Sequence, residues 1–244
     1  MKLKDKVAII TGGTLGIGEA IAEEFAKEGA QIIILGRNAI RGNSVCNNLS
    51  LTYNVKCEFF QTDFNNSGAI IETVKKITDK YPKIDVLVNN AGIATTGTVE
   101  SLDEDQWDEI FRVNVKAPYL ICKHILPIMR KNGSGSIINV ASTCGLVGAW
   151  GLHAYSSTKG AIIQLTKSMA ADYAREKIRV NALCPGATDT PMLEGLDKSF
   201  VKMIPIKRLA KTNEIAKGAL FLASDDSVYM TGANLVIDGG FTAI

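Results

Sequence analysis

The stretch Val7-Ala8-Ile9-Ile10-Thr11-Gly12-Gly13-Thr14-Leu15-Gly16-Ile17-Gly18 decides the fold. Its first five residues, VAIIT, are a short apolar run that reads as a buried strand. From Ile17 onward apolar residues recur at 17, 21 and 25, a helical period, and Gly29 stands where a helix takes its C′ glycine. Four glycines, at 12, 13, 16 and 18, span the join, and the helix opens among them. They permit a tight turn and let backbone come close to a pyrophosphate, while the helix start offers free N–H groups and a positive dipole end. The spacing is GxxxGxG rather than GxGxxG, so the turn alone is a weak signal and a purely structural turn stays open. No GKS or GKT follows, which sets a P-loop NTPase aside.

Working outward, short apolar runs alternate with helix-like segments along the whole chain. Strands are expected at 32–35, 55–61, 86–88, 136–141, 180–184 and 235–237. Helices are expected near 41–52, over 70–80, 102–131, 155–174 and 213–223. Ser101 and Glu104 read as a capping box for the long one, and Pro118 should bend or interrupt it. Apolar strands separated by helices imply a parallel sheet buried on both faces. The expectation is therefore α/β: a doubly wound, Rossmann-like single domain over 1–244, with seven parallel strands and helices on both faces. The stretch 186–212 breaks the alternation and is a candidate substrate lid, since ligands in such sheets sit beyond the carboxyl ends of the strands. The 244 residues are 46% hydrophobic and 21% charged, ordinary globular usage, and the net charge of +2 gives no reason to expect nucleic acid. Five widely spaced cysteines, no CxxC and two histidines suggest neither a disulfide framework nor a zinc site. No signal peptide fits before Val7 and no run is long enough to span a membrane, so a cytoplasmic protein is expected.

The second strand ends Leu35-Gly36-Arg37-Asn38. An NAD-specific site usually has an acid there for the ribose 2′-hydroxyl. Glycine gives room and Arg37 a cation for a 2′-phosphate, which favours NADP(H), with NAD(H) as the alternative. Arg37 as a plain surface residue stays open, and Leu15 stands where NADP enzymes often carry a second cation. Asp63, with Phe64 after it, follows strand three and suits an adenine neighbour or a helix cap equally well.

Strand five runs into Ser142, and Tyr155 and Lys159 follow at i and i+4 on one helix face. A free tyrosine is too weak an acid to act as base near neutrality, and a neighbouring ammonium should lower its pKa. That makes Tyr155 a candidate general acid and base, with Ser142 donating to a substrate oxygen.

Taken together, these motifs resemble the short-chain dehydrogenase/reductase family in its single-domain form, over essentially the whole chain. The family's TGxxxGxG is matched by Thr11 to Gly18, implying cofactor contacts at Gly12, Thr14, Leu15, Gly16, Ile17 and Gly18. Its NNAG stands at Asn89, Asn90, Ala91 and Gly92, implying a segment beside the adenine ribose. Asn114 is similar to the helix asparagine that holds a water on the lysine backbone and extends a proton relay. Ser142, Tyr155 and Lys159 match the catalytic serine, tyrosine and lysine, and the resemblance implies that Lys159 also holds the nicotinamide ribose. Pro185, Gly186, Thr188 and Thr190 match the PGxxxT stretch near the carboxamide, and Asn181 and Asp238-Gly239-Gly240 match as well.

Ala94, Cys144, Leu146, Trp150, His153, Met192, Leu193 and Phe200 are the expected pocket side chains. No arginine or lysine lies in 93–99 or 143–153, so the pocket suits a neutral ketone and its secondary alcohol. His153 suits a donor to a substrate hydroxyl and a cap of local backbone at the helix start equally well, Trp150 a pocket wall or the cover of an oligomer edge, and Cys144 a small pocket or core residue. Three substrate classes remain: a general carbonyl reductase, similar to bacterial R-specific alcohol dehydrogenases at the glycine turn and tail; a 3-oxoacyl-carrier-protein reductase, which would need a basic docking patch such as Arg130, Lys131, Arg175 and Lys177; and a hydroxysteroid or polyol dehydrogenase, whose larger ring Met192, Leu193, Leu196 and Phe200 would cover. A non-catalytic nucleotide-binding scaffold is the contrary reading, and loss of Tyr155 or Lys159 would have been its sign. The apolar tail Phe241 to Ile244 and the resemblance together imply a homo-oligomer, a tetramer, through the long helices. No metal is expected.

Overall fold

Alternate residues of each central strand face opposite ways, and both sets are apolar. Ile9, Ile33 and Leu87 pack into one core cluster, while Ile10, Ile32, Ile34, Val86 and Val88 pack into another. A strand with two apolar faces must be covered on both, and the computed structural model shows how. It describes residues 1–195 and 198–243; Leu196 and Ile244, counted above as lid and tail residues, lie outside the described residues. The strands β1 (Val7–Thr11), β2 (Gln31–Gly36), β3 (Cys57–Gln61), β4 (Val86–Asn89), β5 (Gly135–Val140), β6 (Ile178–Pro185) and β7 (Asn234–Ile237) form one parallel sheet in the order β3-β2-β1-β4-β5-β6-β7. Helices α1 (Gly16–Lys27), α2 (Ala39–Tyr53) and α7 (Thr212–Ala223) cover one face. Helices α3 (Ser67–Lys80), α5 (Ala117–Asn132) and α6 (His153–Tyr173) cover the other. The winding reverses between β1 and β4, which opens a crevice at their carboxyl ends.

The expected long helix is broken into three pieces. Helix α4 (Glu104–Phe111) passes into a π turn over Arg112–Lys116 before α5 begins. Pro118 has no N–H to give the carbonyl four residues back, and the Ala117 N–H reaches five residues back to Arg112 instead. The interruption foreseen from Pro118 is thus real, but it lies on the N-terminal side of the proline. The Ser101–Glu104 capping box does not form. Ser101 Oγ accepts from the Thr98 N–H at 2.8 Å, and Asp103 occupies the N-cap position with no side-chain cap. Beyond β6 the chain is irregular, as expected. Two short 3-10 turns, Pro191–Leu193 and Ser199–Met203, lie in a loop closed at its base by a bridge between Thr188 and Ala210. Among the described residues no helix is long and apolar enough to cross a membrane.

Candidate active site

The glycine turn is held by its neighbours rather than by its own hydrogen bonds. Thr11 Oγ1 accepts from the backbone N–H of Asn90 and of Ala91, each at 2.9 Å. The Asn90 amide returns the contact, donating to the carbonyls of Thr11 at 3.0 Å and Gly12 at 3.3 Å. A Cβ on Gly18 would stand 2.2 Å from the Gly12 carbonyl oxygen and 2.4 Å from that amide nitrogen, so no side chain fits. Gly12 and Gly16 have φ of +66° and +59°, the left-handed region. Helix α1 starts at Gly16 with Leu15 at its N-cap position and no side-chain cap, which leaves first-turn N–H groups free. A cradle that Cβ atoms would fill, ending in uncapped donors, suits a pyrophosphate. Thr190 joins it from the other side, its methyl 3.3 Å from where a Gly16 Cβ would stand. Thr188 Oγ1 donates to the Gly186 carbonyl at 2.9 Å, fixing the bend after Pro185.

At the end of β2, Arg37 is exposed and Gln61 Nε2 donates to its carbonyl at 3.1 Å. Asn38 caps α2 by accepting from the Arg41 N–H. Arg41 lies near Glu19, where it opposes the upward push that burial and Glu23 give that carboxyl. Asp63 Oδ1 accepts from the Asn65 N–H at 3.0 Å, a turn contact, while Asn66 is the true cap of α3. The Phe64 side chain is buried in the core, so only its backbone can reach a nucleotide.

Ser142, Tyr155 and Lys159 do come together. Ser142 leaves the end of β5 and accepts from the Cys144 N–H at 3.1 Å. Tyr155 and Lys159 rise from the first turns of α6, with Nζ 5.5 Å from the phenol ring centre. Nζ donates to the Val140 carbonyl at 2.8 Å. Burial pulls the lysine down to about 8, against a small upward pull from Cys184 and Cys144. Burial also pushes Tyr155 up to about 12, with Cys144 adding to the rise and Ser142 opposing it. The expectation that Lys159 lowers the phenol is therefore not met in the protein alone. Desolvation of the phenolate outweighs every neighbour, and one of the lysine's three donors is taken by Val140.

Asn114 sits in the π turn, fully buried. Its Oδ1 accepts from the Ile93 N–H and its Nδ2 donates to the Ile93 carbonyl, both at 2.9 Å, and to Thr158 Oγ1 at 3.1 Å. Thr158 in turn donates to the Tyr155 carbonyl at 2.7 Å. A Cβ on Gly92 would lie 3.3 Å from Asn114 Oδ1 and 3.6 Å from Lys159 Nζ, so NNAG closes against both. Thr11 and Thr158 thus brace the site, and the sequence reading gave neither a role. Thr158 stands three residues after Tyr155 on the buried side of α6, and that spacing was the available signal. Asn89 donates to Asn139 Oδ1 at 2.8 Å, and Asn139 donates to Thr166 at 2.9 Å, a support role under the sheet. Asn181 ties β6 to the approach to β7 through Met230 and Ala233.

The expected pocket side chains differ in burial. Cys144 is half-buried beside Tyr155, and Leu193 and Phe200 are half-buried in the loop after β6. Ala94, Leu146 and Met192 are exposed. Trp150 is 94% exposed and walls nothing among the described residues; it projects from a loop that packs through Gly151 and Leu152. His153 is also turned away. It lies two positions before Tyr155, about 200° around the helix. It joins Val99, Leu102, Glu104, Trp107 and Ser157 around a separate 360 Å³ cavity.

Comparison with known proteins fits this architecture. The family model described as Enoyl-(Acyl carrier protein) reductase matches residues 12–242. The 3-oxoacyl-[acyl-carrier-protein] reductase FabG of Chlamydia pneumoniae is 39% identical, covering 98% of both chains. The 2-(R)-hydroxypropyl-CoM dehydrogenase of Xanthobacter autotrophicus is 37% identical over 98% of this chain and 99% of its own. A structure from Beutenbergia cavernae, a candidate NAD(P)-dependent gluconate 5-dehydrogenase with NADP at low occupancy, superposes with a TM-score of 0.95 at 30% identity. It covers 100% of this chain and 99% of its own. Fold and relatives together define an oxidoreductase that works with a nicotinamide dinucleotide. The chain belongs to the short-chain dehydrogenase/reductase family.

Proposed function

We propose that the protein interconverts a neutral ketone and its secondary alcohol, with NADP(H) preferred over NAD(H). The observation that carries this reading is the cluster of buried Ser142 and Lys159 with half-buried Tyr155 at the carboxyl end of β5, beside the glycine turn. When bound, the nicotinamide supplies or takes the hydride. Tyr155 gives the proton to the carbonyl oxygen, Ser142 orients that oxygen, and Lys159 holds the ribose. Asn114 braces the Gly92–Ile93 turn and links the lysine to solvent. Gly12, Thr14, Leu15, Gly16, Ile17 and Gly18 hold the pyrophosphate side. Asn90, Ala91 and Gly92, with Asp63 and the Phe64 backbone, lie along the adenosine side. Pro185, Gly186, Thr188 and Thr190 border the nicotinamide. Chain 1–244 acts as one catalytic unit, and the irregular 186–212 is its substrate lid.

A second reading is reduction of a 3-oxoacyl group on a carrier protein, favoured by the FabG relative at 39% identity. The basic patch it needs is weakened here. Arg130 Nε is bonded to Glu176 at 2.7 Å, leaving Lys131, Arg175 and Lys177. One panel separates the readings: a neutral ketone, a keto acid, a steroid ketone and an acetoacetyl thioester, each with NADPH and NADH. The neutral ketone should win with NADPH. A thioester preference would support the second reading, and a strong keto-acid preference would contradict the uncharged pocket.

A further inference from the structure

Gly97 stands in the loop after β4, and the segment before Tyr155 takes up both of its backbone polar groups. Its N–H donates to the Gly151 carbonyl at 2.9 Å, and its carbonyl lies 3.2 Å from His153 Nδ1. A carbonyl offers no proton, so Nδ1 carries the hydrogen and donates. The imidazole is held in place from behind. Trp107 of α4 lies near-parallel to it, ring centres 6.0 Å apart and planes 21° apart, and Trp107 itself packs on Phe111 at 4.8 Å. Between Gly97 and Leu152 the two segments run side by side as a parallel bridge. The near end of the 93–99 loop is separately fixed by Asn114 on Ile93. Its far end is tied to the residues that follow it by Thr98 and Ser101, but its contacts to the segment before Tyr155 are those of Gly97, and of these the one made by a side chain is His153.

We infer that His153 is a positioning residue: through its Nδ1–H on the Gly97 carbonyl it sets the distance between the 93–99 loop and the start of α6, and so the width of the substrate opening beside Tyr155. This rests on the reading that the 93–99 loop borders the substrate. The imidazole does not touch the reacting atoms, since it faces α4 on the other side of the helix. Losing it should loosen substrate capture without altering proton transfer or cofactor binding. A partner for the Gly97 carbonyl would have to be found elsewhere, and an unbonded loop carbonyl turns toward water.

The shape of the donor dictates the test. Asparagine carries Nδ2 at nearly the position of histidine Nδ1, whereas glutamine places its amide one bond farther out and leucine has no donor. His153→Leu and His153→Gln should raise KM for the best ketone about five- to twentyfold, the effect of roughly one hydrogen bond. In both, kcat should stay within about threefold and the NADPH dissociation constant within about twofold. His153→Asn should restore KM to within about twofold of the parent. Amide hydrogen exchange, read without substrate, should show faster exchange at 93–99 in the Leu variant and parent-like exchange in the Asn variant. Equal KM in the Leu and Asn variants, or a loss confined to kcat, would overturn the inference. So would unchanged exchange at 93–99. If the parent turns over no ketone at all, the proposed function fails instead, while the exchange result still decides whether the latch exists.

Discussion

A phenol held near pKa 12 and an ammonium held near 8 set the state of the site before anything binds. At pH 7 both are protonated, which suits reduction, where Tyr155 must give a proton. The reverse reaction needs the phenolate, which is scarce. Alcohol oxidation should therefore rise about tenfold per pH unit on the alkaline side of neutrality, while ketone reduction stays nearly flat there. Initial rates in both directions from pH 6 to 9.5 check this, and parallel profiles would contradict it. Stability has its own sign. The folded pKa of Lys159 is depressed, so the unfolded chain binds more protons between about 8 and 10.5, and stability should rise across that window. Replacing Tyr155 with Phe should remove most turnover and leave NADPH binding within about twofold, since the phenol is the only side chain offered as proton donor. Arg37→Ala should lower kcat/KM for NADPH by about ten- to a hundredfold and barely affect NADH. Gly36→Asp should turn selectivity toward NADH by repelling the 2′-phosphate, although its Cβ must settle 3.2 Å from the Thr14 methyl. Equal losses with both cofactors in Arg37→Ala would make Arg37 a surface residue. At this scale the sequence disclosed which residues meet, because Tyr155 and Lys159 share a helix face and Ser142 ends a strand. It did not disclose the direction of the tyrosine's shift, which depends on how completely α6 and β5 exclude water.

The elements were legible wherever burial imposed a period. Central strands such as Ile32-Ile33-Ile34-Leu35 must face apolar cores on both sides, so their runs announce them. The π turn was not legible in the same way. Pro118 foretold a fault, but its form depends on Asn114 being drawn toward Ile93, a contact with a distant turn. Loop side chains were the least readable. Trp150 lies just before α6 and His153 is its first residue, where no run of apolar residues yet fixes direction, and one points to solvent and the other to α4. The glycine turn offers the sharpest test at this level. Gly18→Ala would drive a Cβ against the Gly12 carbonyl and the Asn90 amide, both part of the cradle. The cost should be about 1–3 kcal/mol or more, as for other overpacked sites. At this chain length that lowers Tm by about 2–4 °C per kcal/mol, and NADPH affinity should fall with it. Gly148→Ala, where a Cβ meets nothing within 4 Å, is the matched control. Equal melting temperatures in the two variants would mean the turn relaxes freely.

Among the exposed apolar side chains of the described residues, two groups lie on separate sides of the sheet. Around α7 and the edge strand β7, Phe221, Val228, Tyr229 and Val236 are exposed, and Tyr229 is fully so. Around α4, α5 and the loops beside them, Val99, Trp107, Tyr119 and Trp150 are exposed. The first side adjoins an unpaired sheet edge, a liability that proteins ordinarily cover. Two patches on different sides can each close on themselves by a two-fold axis, and two such axes build a tetramer, whereas one builds only a dimer. This also gives a use to Trp150, which is 94% exposed among the described residues. Light scattering at micromolar concentration should therefore give about four times the monomer mass. The patches can then be told apart by charge. Tyr229→Glu or Val236→Glu should break the contact at the sheet edge, and Trp107→Glu or Tyr119→Glu the contact on the helix side, each leaving a dimer held by the other. Tyr119→Glu is the cleaner of the second pair, because Trp107 also backs His153. A monomer in the parent protein would refute the assembly. A parent dimer unaffected by Tyr229→Glu and Val236→Glu would leave the edge of β7 open to water and the tail around Phe241 only half-buried.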